Sequence, residues 1–78
     1  NSVAITGEIN LQGEVTAIGG LDMKISGGIK SGVTTFIYPK ENARDCREWK
    51  TKNDDLIYKD INFHEVSTIH EVFKIIFA

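Results

Sequence analysis

Apolar and polar residues alternate over the first eighteen positions. Val3 and Ile5, then Ile9 and Leu11, then Val15 and Ala17 recur two apart, the period of a strand with one inward face. Gly7 and Gly13 punctuate the run. The reading is strand, glycine, strand, glycine, strand, with a tight hairpin at "LQGEV" in which Gly13 supplies a positive φ. At Gly19-Gly20 the period changes. Leu21, Ile25 and Ile29 are spaced by four in "LDMKISGGIKSG", which predicts a helix with one apolar face. Gly27-Gly28 sits inside that helix, at about 1 kcal/mol per glycine relative to alanine.

"VTTFIY", residues 33–38, is β-branched and aromatic and stops at Pro39, so it reads as a buried strand. "ENARDCREWK" is a short polar helix or turn region anchored by Trp49. "TKNDDLIYKD" is charged and turn-rich, with Leu56 and Ile57 expected as its buried points. "INFHEV", residues 61–66, reads as a second buried strand. Ser67 or Thr68 then caps a last helix that carries Ile69, Val72, Phe73 and Ile76 at helical spacing. The expected fold is α/β (α+β): an antiparallel β-hairpin front followed by helix, strand, helix, strand, helix. The second half looks like a crossover between two parallel strands.

Composition narrows the function classes. The 78 residues allow one domain, and a chain this short buries only about 60% of its unfolded surface. One cysteine, Cys46, excludes an internal disulfide and fits a reducing compartment. Two histidines and a distant cysteine do not make a zinc spacing. A formal net charge of −2 without a basic stripe argues against nucleic acid. No apolar run approaches the ~20 residues of a membrane span. The chain has no initiator methionine and opens almost directly into an apolar strand, so it is expected to be a piece of something longer, incomplete at its N-terminus.

Three blocks, "AITGEINLQGEVTAIGGLDMK", "GGIKSGVTTFIYPKEN" and "INFHEVSTIHEVFKI", together resemble the C-terminal proteolytic domain of Lon proteases, from Val3 to Phe77. The resemblance implies a serine endopeptidase with a serine–lysine dyad, polypeptide substrates and a hexameric ring. It also implies an attached AAA+ module that holds ATP and Mg outside this chain. The family lysine follows a glycine pair as GG-x-x-x-K, which is Lys24 in "GGLDMK". The family threonine that hydrogen-bonds the lysine corresponds to Thr6 in "TGE". The nucleophilic serine of the family lies upstream of the position of Asn1, in a missing N-terminal half of the same domain. The implied compartment is the cytoplasm or an organelle matrix. One departure stands out: Ser26-Gly27-Gly28 replaces a small, helix-favouring pair after the lysine.

The chemistry is consistent with that assignment. A serine hydroxyl needs an adjacent base, and a lysine serves only when neutral near pH 7. Bringing an ordinary lysine from about 10.4 to 7–8 requires roughly 3–4 kcal/mol, which burial can supply. A threonine orients a neutral amine without holding it charged, as an aspartate would. Local substitutes for the serine are poor: Ser26 points away from Lys24, Ser31 ends a helix, Ser67 is a cap and Ser2 lies at the start. Cys46, His64 and His70 read as core or rim residues, and Asp54-Asp55 as a solvated turn. A second reading is a non-catalytic domain of the same fold acting as an assembly scaffold of an ATPase.

Overall fold

The structure is a computed structural model and describes residues 2–77. Its centre is a three-stranded parallel sheet with the order β1 (Ser2–Ile5), β4 (Val33–Pro39), β5 (Asn62–Val66). Between β1 and β4 lie a two-stranded antiparallel hairpin, β2 (Glu8–Ile9) and β3 (Val15–Thr16), and the helix α1 (Leu21–Lys30). A 3-10 turn at Lys40–Asn42, helix α2 (Ala43–Lys52) and the one-turn helix α3 (Asp55–Tyr58) connect β4 to β5, and α4 (Ile69–Ile76) follows. The expected parallel crossover joins β4 to β5. The antiparallel front is smaller than expected, because the first strand leaves it: Ala4 pairs with Phe36 and Ile5 with Ile37 in the parallel sheet. Among the described residues, the antiparallel ladder there is Glu8–Thr16 and Ile9–Val15.

The central strand separates two cores. Phe36 and Tyr38 face α1 and α2, in a cluster with Leu21, Ile25, Cys46 and Trp49. Ile37 faces the other way, with Val15, Val66 and Val72. β4 is therefore covered on both faces over Phe36–Pro39, where its sequence is apolar and aromatic without interruption. β1 and β5 are the two edges. Val3 and Ile5 on β1 are each 52% exposed, and β5 buries only Val66, so "INFHEV" is an edge strand rather than a fully buried one.

Other positions depart from the sequence reading for local reasons. Gly13 has φ +80° as expected, but the turn reaches back to Asn10. The Asn10 side chain accepts from the amides of Gln12 and Glu14, and Leu11 is left fully exposed at the tip. Leu56 and Ile57 are exposed rather than buried. On so short a helix a single residue faces inward, and it is Tyr58, whose ring meets Trp49 at 5.4 Å and Phe63 at 6.3 Å. On α4 the inward residues are Val72, with Ile69 and Ile75 half-buried, while Phe73 and Ile76 face solvent. Thr68, not Ser67, is the cap, in a capping box with Glu71.

Gly27 and Gly28 have opposite roles. A Cβ on Gly28 would lie 2.7 Å from two ring carbons of Phe36, so the glycine permits α1 to approach β4. A Cβ on Gly27 would meet nothing within 4 Å. Gly27→Ala is therefore expected to stabilise by about 1 kcal/mol through helix propensity. Gly28→Ala is expected to cost roughly 1–2 kcal/mol net, because the overpacking penalty exceeds the same gain. Chemical denaturation of the two variants checks this, and equal midpoints would show that the glycine pair acts only on helix propensity.

Candidate active site

Parallel strands bring their carboxyl ends to one edge, where sites of open α/β sheets gather. Thr6 lies there, immediately after β1. Its amide donates to the Ile37 carbonyl at 2.9 Å and its Oγ1 to the same oxygen at 3.3 Å. Helix α1 runs opposite to the strands. Its Gly28 lies against Phe36 and Val33, at the start of β4, so its first turn lies toward the carboxyl end. Lys24 is in that turn, its amide donating to the Gly20 carbonyl at 3.1 Å. Thr6 and Lys24 thus share one end of the sheet. Among the described residues no hydrogen bond joins them, and the Lys24 side chain is exposed. Successive residues turn about 100° around a helix, so Lys24 lies about 160° from Ser26.

That separation sets the two flanks of α1 apart. Ser26 faces α2, where its Oγ accepts from Trp49 Nε1 at 2.9 Å, so this hydroxyl is occupied away from Lys24. An open groove of about 510 Å³ lies on this side, between the start of α1 and α2, with Asp22, Met23, Glu48 and Trp49 in its walls. Ser31 caps the far end of α1 through its backbone amide. His64 is half-buried and His70 exposed. Among the described residues no group of three or more His, Cys, Asp or Glu could hold a metal ion.

The turn that launches α1 is fixed by residues that sequence reading does not single out. Helix α1 has no side-chain cap; its N-cap position is Gly20, at φ +73°. The segment before it is held instead by the turn that follows β4. Asn42, 2% exposed, accepts from the Ile18 amide through Oδ1 at 2.9 Å and donates to the Ile18 carbonyl through Nδ2 at 2.9 Å. Nδ2 also donates to Asp45 Oδ2 at 2.7 Å. The adjacent Glu41 carboxylate accepts from the Ala17 amide at 2.8 Å. An asparagine directly before a helix reads as that helix's own cap, and this hides its use here. The signal available was the "PKEN" block itself.

Beneath this end lie two buried titratable groups. Burial pushes the Cys46 thiol up, against the hydrogen bond from Tyr38 and the nearby Lys50 charge, which pull it down. Burial also pushes the Tyr38 hydroxyl up, reinforced by Cys46 and Glu65. Cys46 is thus held as a thiol, in keeping with a structural role. Both groups bind their protons more tightly folded than unfolded. Their stabilising effect is complete below the unfolded thiol value, near 8.5, and is lost as pH rises through the raised folded values. The melting temperature is expected to fall steadily above about pH 9, with the onset later in Cys46→Ala. A melting temperature that stays level up to pH 11 in the unsubstituted chain would remove this account.

Compared with known families, residues 1–78 match the Lon protease (S16) C-terminal proteolytic domain. Among curated proteins, the chain is 42% identical to the Lon protease of Chloroflexus aggregans over 73 residues, covering 94% of the chain and 8% of that protein. It is 43% identical to Lon protease 1 of Hydrogenovibrio crunogenus over 75 residues, covering 96% and 9%. It is 35% identical over its whole length to the mitochondrial Lon protease homolog of Phaeodactylum tricornutum, of which it covers 8%. The chain therefore spans less than a tenth of the relatives it matches. No helix among the described residues is long and apolar enough to cross a membrane. On the whole-length family match and these identities, the chain belongs to the Lon protease family, in the region of its C-terminal proteolytic domain.

Proposed function

We propose that this chain is the C-terminal part of a serine endopeptidase domain and contributes the general base of a serine–lysine dyad. In this reading the serine belongs to an upstream segment of the parent protein. Lys24 takes the serine hydroxyl proton as the oxygen bonds to the peptide carbonyl carbon, then returns it to the departing amine. Thr6 orients the amine. The observation that carries the reading is the common position of Thr6 and of the lysine of the GG-x-x-x-K spacing at the carboxyl end of the parallel sheet. The exposure of Lys24 in this chain means that the burial needed to neutralise it comes from the upstream half. The exposed Val3 and Ile5 on the edge strand β1 are an apolar surface for that half to cover.

Substrates are polypeptides, and the working assembly is a ring of identical subunits, hexameric by the family resemblance. ATP and Mg belong to an attached AAA+ module. The chain contains no G-x-x-x-x-G-K-[ST] loop, the motif that cradles nucleotide phosphates. The test is hydrolysis of an unstructured polypeptide by the parent protein. A serine-directed phosphonylating reagent is expected to stop it, and the 78-residue chain alone is expected to be inactive. A parent protein that hydrolyses nothing would favour the scaffold reading, and hydrolysis indifferent to the reagent would argue against a serine nucleophile.

A further inference from the structure

We infer that Asn42, assisted by Glu41, is a positioning residue for the reaction proposed for Lys24, an inference that rests on the dyad reading. Asn42 pairs with both backbone groups of Ile18, at 2.9 Å each, as a neighbouring strand would. Glu41 takes the amide of the preceding residue, Ala17, at 2.8 Å. Two consecutive side chains thus stand in for a missing strand beside residues 17–18. That stretch ends at the glycine pair, and Gly20 accepts the Lys24 amide. No side chain caps the start of α1, and a Cβ on Gly19 or Gly20 would meet nothing within 4 Å. The glycine pair is held from its two sides, by the buried Leu21 that follows it and by the hydrogen bonds of Asn42 and Glu41 to the residues before it.

The cost of this arrangement shows that it is specific. Asn42 precedes Ala43, the first residue of α2, but its side chain makes no cap to its own helix. It is the only buried polar residue among those described, and each of its bonds crosses to Ile18 or goes to Asp45. A group buried this deeply is expensive to leave unpaired, so the Ile18 backbone has few alternative positions. A base must sit within hydrogen-bond reach of the proton it takes. Misplacement by about 1 Å costs on the order of 10²-fold in rate.

The experiment compares Asn42→Ala, Glu41→Ala, Asn53→Ala and Lys24→Ala in the parent protein, with rates expressed per folded molecule. Asn53 is a fitting control. Its Nδ2 donates to the Trp49 carbonyl at 2.7 Å at the other end of α2, so its loss weakens the helix without touching residues 17–18. Asn42→Ala is expected to lower kcat by roughly 10²-fold with KM within about twofold, and to speed hydrogen exchange at the Ile18 amide. Glu41→Ala, at an exposed position, is expected to lower kcat several-fold, and it decides the matter if Asn42→Ala does not fold. Asn53→Ala is expected to leave kcat unchanged. Unchanged kcat in Asn42→Ala or Glu41→Ala, alongside an inactive Lys24→Ala, would overturn the positioning role and leave the dyad standing. Full activity in Lys24→Ala would overturn the dyad, and the positioning role with it.

Discussion

Lys24→Arg in the parent protein should abolish peptide hydrolysis while leaving the fold nearly intact. Arginine keeps the length of the stem, and Lys24 belongs to neither buried cluster of this chain, so neither core depends on it. Arginine cannot give up its proton in a protein. It therefore packs like the lysine and fails as a base. Removing a general base costs typically about 10²–10⁴-fold, so the loss should exceed that of any other single substitution at this end of the sheet. Thr6→Val should do less, because it removes only an orienting hydroxyl, one that already donates to the Ile37 carbonyl. The measurement is single-turnover cleavage of a fluorogenic peptide beside circular dichroism of each variant. A fully active, folded Lys24→Arg protein would exclude a serine–lysine dyad, whatever the upstream sequence contains.

The largest effect on stability should come from Phe36→Ala. Phe36 is 1% exposed, stacks on Phe63 at 5.7 Å between ring centres and fills the space left open by Gly28. Truncating a buried phenylalanine costs typically about 3–5 kcal/mol. A complete domain of this length has roughly 4–12 kcal/mol in total, and a chain that is only part of a domain falls at the low end of that range. The variant of the 78-residue chain is therefore expected to be largely unfolded at 37 °C, with its far-ultraviolet dichroism lost. Phe36→Leu should retain the fold. A cooperative Phe36→Ala transition within a few degrees of that of the unsubstituted chain would mean that α1 and β4 do not depend on this ring for their packing.

Features closed by neighbours in sequence were legible. The helix cap of Thr68 and Glu71 involves residues three apart, and the Gly13 turn needs one dihedral angle. The run at 33–38 is β-branched and aromatic, and it is covered on both faces from Phe36 onward, so length and composition alone mark it as a strand. The partner of β1 was not legible. Local glycines suggest hairpins, whereas the observed ladder joins Ile5 to Ile37, a pairing for which no nearby residue gives a sign. Among Leu56, Ile57 and Tyr58 the pattern could not choose the inward residue, since a single helical turn has no period to read. For the site, the family resemblance pointed to Lys24 and Thr6, through "GGLDMK" and "TGE". Exposure of Lys24 was not readable, because it depends on what covers the outer flank of α1. Asn42 was hidden by its position, where an asparagine has a more common use.

The ladder between β1 and β4 also has a consequence for biosynthesis. Ala4 pairs with Phe36, and Ile37 with His64, so each strand waits for a partner about 30 residues downstream. At a synthesis rate of roughly 5–20 residues per second, β1 exists for about 2–6 s before β4 has been made. During that interval the β4-facing edge of β1 has no partner, and an unpaired edge of this kind is a template for association with other nascent chains. β4 ends the exposure by pairing with β1, and it then becomes the edge on which β5 assembles. A pause after β1 has left the ribosome and before β4 has done so should therefore reduce soluble yield more than a pause of equal length after β4 has emerged.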